Sequence, residues 1–99
     1  MKIKELFSGP DRWIQKSYAR DINNNITTWN ATNAHSFCLI GAVCHCYTLD
    51  TNIRSEIYKK LRAELYPEMP AEQISIAEWN DAPERTFEDV KKLVNDLDI

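Results

Sequence analysis

The sequence predicts a small α+β domain, helix-dominated, in which three to five helices pack with a small antiparallel hairpin sheet. Three observations lead there. Residues 13–29 read as strand, polar turn, strand; residues 37–44 are apolar or small at every position; and the segment after Thr86 combines helix start signals with a 3.6-residue apolar period. A chain of 99 residues has the usual size of one domain, so residues 1–99 are taken as a single unit with one core.

In chain order, residues 2–7 make a short helix that Gly9-Pro10 stops. Trp13 to Arg20 is aromatic and apolar enough for a strand. The Asn residues of Asp21-Ile-Asn-Asn-Asn25 tolerate positive φ, and the β-rich Ile26-Thr-Thr-Trp29 completes a hairpin. After the polar link Asn30–Asn33, Asn33 is expected to cap a helix running to about Thr48. That helix is apolar all round, the mark of the central helix of a small domain. Gly41 inside it costs about 1 kcal/mol relative to Ala, so close approach of another element, the hairpin, is the expected reason for it.

Ile53, Ile57, Leu61 and Leu65 at i,i+4 spacing make Asn52–Tyr66 an amphipathic surface helix, ended by Pro67. Pro70 opens a short helix over Ala71–Trp79, with Ser75-Ile-Ala-Glu78 as an alternative capping box. Thr86 caps the last helix, Glu88 and Asp89 suit its first turn, and Phe87, Val90, Leu93, Val94 and Leu97 form its apolar face.

Composition narrows the functional classes. The net charge is −3 and the basic residues are scattered among carboxylates, without the positive patch that phosphate backbones require; nucleic acid is an unexpected partner. No segment approaches the length of about 20 apolar residues needed to span a bilayer, and the start Met1-Lys-Ile-Lys-Glu has no signal-peptide core, so no membrane role and a cytoplasmic location are expected. Cys38, Cys44 and Cys46 are odd in number and clustered, which suits a reducing compartment rather than a disulfide framework.

Chemistry has few places to reside. Cys38 falls near the start of the expected helix, where the helix dipole favours a thiolate, and His35 or His45 would be its base; the bland alternative is a buried cysteine packing as a small hydrophobe. The string His35, Cys38, Cys44, His45, Cys46 invites a metal, but on a continuous helix Cys38 and His45 stand roughly 10 Å apart along the axis, so no metal site and no cofactor is assigned. Trp79-Asn80-Asp81-Ala82-Pro83 reads first as a turn device, with Arg85 reaching back to Asp81. Its functional alternative is an exposed polar edge of Asn80, Asp81 and Arg85 beside the hairpin. Glu88/Asp89 and Asp96/Asp98 read as solvated faces, and with Gly only at positions 9 and 41 no Gly-rich phosphate loop is possible.

The combination of Trp13, Ala19-Arg20-Asp21, Phe37-Cys38-Leu-Ile-Gly41-Ala42 and Trp79-Asn80-Asp81-x-Pro83-x-Arg85-Thr86 with Val90 resembles a family of small uncharacterised proteins of bacteria and their phages. Asn24 and Asn25 stand where that pattern has a turn glycine after Asp21. The resemblance lends no catalytic residues; it implies an accessory factor that binds a host or viral protein, or an inhibitor of a host system. Residues and resemblance together favour a binding module acting by protein–protein contact, alone or as a homo-oligomer, through Asn80, Asp81, Arg85 and the surface-capable aromatics Tyr18, Trp29 and Tyr66. A small hydrolase or transferase built on Cys38 with His35 or His45 is the alternative.

Overall fold

The computed structural model describes residues 1–66 and 75–99, and its elements follow the sequence with two revisions near the sheet. Helix α1 spans Ile3–Leu6 and buries Ile3 and Leu6. Gly9 then leads into a short 3-10 turn, Pro10–Arg12, with proline at its first position, where a missing N–H costs nothing.

The hairpin is present, with strands β1 at Ala19–Arg20 and β2 at Ile26–Thr27, in the register Ala19 opposite Thr27 and Arg20 opposite Ile26. Asn24 supplies the positive φ of the turn, at 68°. The Asp21 carboxylate closes it by accepting from the backbone N–H groups of Asn23 and Asn25, both at 2.9 Å. Asn24 thus occupies the left-handed turn position itself, its short polar side chain tolerating that region.

The first revision shortens the expected strand Trp13–Arg20 to its last two residues. Lys16 has φ 69°, a left-handed backbone that ends any extended run, and Trp13 instead forms an isolated parallel bridge with Phe37. The second revision replaces the start of the expected central helix by a third strand. Ser36–Phe37 forms β3 and pairs antiparallel with β1, Ala19 opposite Phe37 and Arg20 opposite Ser36, so the sheet runs β2-β1-β3. Asn33 therefore caps nothing helical; α2 spans Leu39–Cys46 and Cys38 is its N-cap. Pairing Phe37 with β1 buries its whole side chain, worth about 2–3 kcal/mol, whereas an earlier helix start would forfeit that strand pairing.

Helix α2 is central, as its all-round apolarity predicts. It packs on α1, on β3, on α3 (Thr51–Leu65) and on α4 (Ile76–Asp81). Gly41 meets the hairpin as expected, and the contact is severe: a Cβ there would lie 2.1 Å from the Tyr18 backbone oxygen. Asp50 caps α3 by accepting from Asn52 and Ile53 N–H at 2.9 and 3.1 Å. Ile57 and Leu61 enter the core, while Ile53, one turn earlier, stays 43% exposed.

Ser75 caps α4, accepting from the Glu78 N–H at 3.1 Å, which realises the serine half of the alternative capping box; the stop at Pro67, the start at Pro70 and residues 71–74 of the expected Ala71–Trp79 helix lie outside the described residues. Helix α5, Phe87–Leu97, carries the capping box of Thr86 and Asp89 and buries Val90, Leu93 and Val94. Helices, sheet and termini share one core, in which Ile3, Phe7, Ala19, Phe37, Leu39, Leu61, Val90 and Ile99 meet. Among the described residues no helix is long and apolar enough to cross a membrane.

Candidate functional site

The Trp-Asn-Asp run ends α4, and the Asn80 side chain there bonds across to other segments. Its Oδ1 accepts from the Trp13 indole N–H at 2.7 Å and from the Leu39 backbone N–H at 3.0 Å; its Nδ2 donates to the Ile14 carbonyl at 3.1 Å and to Asp81 Oδ1 at 2.9 Å. An amide side chain has two lone pairs and two N–H groups, and all four are satisfied here. At 1% exposure Asn80 is an internal tie between α4, the 13–18 segment and the start of α2. The expected exposed edge does not include it: with every donor and acceptor consumed inside, burial in this knot is the low-energy arrangement.

Asp81 extends the knot outward. Its Oδ1 also accepts from the Lys16 N–H at 2.9 Å, holding the one residue of the segment whose backbone is left-handed. Gln15 secures the same turn by donating from Nε2 to the carbonyls of Asn80 and Ala82, at 2.9 and 2.8 Å. Arg85 does not reach back to Asp81. Its Nε donates to the Trp79 carbonyl at 2.9 Å, its guanidinium stacks 4.0 Å from the Trp79 ring centroid, and Nη1 stands 3.9 Å from Asp89. Stacking on the indole competes successfully with a surface ion pair because the planar cation keeps both the π-face and the carbonyl.

A cleft of about 260 Å³ opens beside the knot, lined by Lys16, Ser17, Tyr18, Cys38, Ala77 and Asp81. Cys38 is in it, yet the thiol is 6% exposed and its sulfur accepts from the Gly41 N–H at 3.3 Å as the helix cap. Burial pushes its pKa up; the N–H groups of Gly41 and Ile40 pull the other way, and the Asp81 charge adds to the rise. A helix start thus does not by itself yield a thiolate when desolvation is larger.

The two histidines are engaged elsewhere. His35 is not on α2; its Nε2 lies 3.3 Å from Asp11. His45 Nδ1 lies 3.0 Å from the Trp29 carbonyl, and its ring sits 4.6 Å from that of Phe37. Among the described residues neither hydrogen-bonds to Cys38. Burial also pushes Cys46 up, to about 11, and no group of three or more His, Cys, Asp or Glu among the described residues comes together as metal ligands.

The remaining expected contact residues divide. Tyr18 is exposed, at 59%, while Trp29 is partly buried against the core and Tyr66, at the end of α3, is half-buried. Two residues with no motif around them stand out further. Ile22 in the turn and Ile26 on β2 are 75% and 70% exposed, and only the strict alternation of a strand, read once the register is known, marks Ile26 as outward. Gln15, which completes the knot, carried no signal, and Trp13, though part of the resemblance, gave no sign of this role, because their partners lie more than 60 positions away.

The chain belongs to a family of unknown function, DUF6197, whose model matches residues 4–97. No curated protein and no solved structure matches it.

Proposed function

We propose that the protein is a cytoplasmic binding module that acts by protein–protein contact, a phage-associated accessory factor or inhibitor of a host system, with the outer face of the hairpin as its contact surface. The observation that supports this reading is the coincidence of exposed apolar side chains with a free strand edge. Ala19 points into the core at 0% exposure, so alternation turns Tyr18 and Arg20 to the other face, and Arg20 stands directly opposite Ile26. Tyr18, Ile22 and Ile26 thereby lie on one small projection. Strand β2 is the end strand of the order β2-β1-β3, and an end strand offers unpaired backbone groups to an incoming chain.

The knot at Asn80 gives this surface a rigid base. Contacts made by pre-ordered groups lose less entropy on binding, which raises affinity for the same area. The cysteine-based alternative gains nothing comparable, since Cys38 is protonated, capped into α2 and not hydrogen-bonded to either histidine.

Native mass spectrometry of the tagged protein isolated gently from its source cells tests the reading. The unaltered protein should carry a second polypeptide, or a second copy of itself. Ile26→Asp should lose it while stability changes by no more than about 0.5 kcal/mol, as for an exposed site. Capture retained in Tyr18→Ala, Ile22→Asp and Ile26→Asp alike would discard this face.

A further inference from the structure

A second cavity, of about 280 Å³, lies between α3 and α4, away from the knot, and is lined by Ile40, Tyr58, Arg62, Ser75 and Ile76. Each of its polar groups can donate a hydrogen bond. Arg62 carries a permanent charge, and its Nε is buried with no hydrogen-bond partner, a condition that costs a protein free energy unless something else satisfies the guanidinium. None of the ion pairs among the described residues uses Arg62 or Arg54, which precedes it by two turns on the same helix face.

Ser75 accepts from the Glu78 N–H through Oγ, and among the described residues its own hydroxyl hydrogen has no acceptor. Tyr58 lies between the two arginines, with the Arg62 guanidinium 5.9 Å from its ring centroid. Among the described residues its hydroxyl meets only Cys44 Sγ, a weak partner at 3.7 Å that can donate or accept, and burial keeps it protonated. The walls, Ile40 and Ile76, are apolar.

We propose that this cavity between α3 and α4 binds a small oxyanion, a phosphate or carboxylate group, held by the Arg62 guanidinium with the Tyr58 and Ser75 hydroxyls as further donors. An arginine presents a planar fork matched to two oxygens of such a group, and low-dielectric walls strengthen the attraction. The isoleucines would accommodate an apolar stem attached to the anion.

The full chain, isotopically labelled, is titrated separately with inorganic phosphate and with acetate at constant ionic strength, following backbone amide and Tyr58 ring signals by NMR. Saturable shifts confined to residues around Tyr58, Arg62 and Ser75, at about millimolar anion, are expected with one of the two, which also identifies the anion. Arg62→Met keeps the stem against Tyr58 and should weaken binding about tenfold or more. Tyr58→Phe should weaken it a few-fold and serves if the first variant does not fold. No saturable shift with either anion, shifts spread over the whole surface, or binding unchanged in the variants would overturn the proposal.

Discussion

The knot around Asn80 and the tip of the hairpin lie on neighbouring pieces of chain, yet they are built on opposite principles. The knot is buried and polar, and the hydrogen-bonding positions of the Asn80 side chain are filled by Trp13, Leu39 and Ile14, all distant in sequence, and by the adjacent Asp81. The tip is an exposed polar turn that presents Ile22 and Ile26 to solvent, and its hydrogen bonds stay within five residues, between Asp21 and Asn25. The segment from Trp13 to Tyr18 joins them. The contrast teaches that the residues forming the most recognisable motif serve to hold that segment, whereas the side chains free to meet a partner belong to a stretch with no motif.

The largest effect should come from removing the centre of the knot. Asn80→Leu keeps the branched shape of the side chain but leaves the Trp13 indole N–H, the Leu39 N–H and the Ile14 carbonyl without their partner. At about 1–3 kcal/mol for each buried group left unsatisfied, the loss should exceed about 3 kcal/mol, measured as a fall in the urea midpoint. A loss below about 1 kcal/mol would break the comparison, because it would mean that water replaces the amide and the knot is no more rigid than the tip.

Gly41→Ala tests the same joint from the side of α2. On an isolated helix the change would be favourable by about 1 kcal/mol. Here the new Cβ meets the Tyr18 carbonyl oxygen at 2.1 Å, and backbone cannot step aside as the end of a flexible side chain would. Moving it would also strain the Cys38 N–H bond to the same oxygen, at 3.3 Å. A net destabilisation of about 2–3 kcal/mol is expected from such overpacking, seen as a lower thermal midpoint. A variant of unchanged stability would show that the hairpin is free to move away from α2.

What the sequence disclosed follows from where each signal resides. The last helix was legible because Thr86, Asp89 and the spacing of Val90, Leu93 and Val94 are local facts, and the hairpin because Asn24 and Asp21 shape its turn locally. Gly41 disclosed a close approach through the mere presence of a glycine in a greasy helix. The β3 strand was hidden, since Ser36-Phe37 runs into an apolar stretch with no period to divide strand from helix, and cysteine is not among the residues that usually cap. Asn80 looked like a turn residue for the same reason that it could become a hub: three of its four partners are set by tertiary structure, and no spacing in the chain records them.

The smallest effect, and the sharpest test of the contrast, belongs to Asp21. Its carboxyl is held below its ordinary pKa first by the Asn25 backbone N–H, with the Asn25 side chain and the Asn23 N–H also contributing. A depressed folded-state pKa means that the carboxylate favours the folded turn at any pH above the unfolded value, about 3.9 for aspartate. That contribution fades as the pH falls through the lowered folded value. The group lies at the surface in a local turn, so the change in global stability should be slight. The amide signals of Asn23 and Asn25 should nevertheless move together as acid is added, with an apparent pKa below 3.9, about the unfolded value, while the Leu39 amide and Trp13 indole signals hold still. Asp21→Asn should abolish that local titration and leave the knot signals in place. If the knot signals moved in step with those of the turn, the tip and its base would be a single cooperative unit, and the hairpin would be less an independent contact surface than an extension of the core.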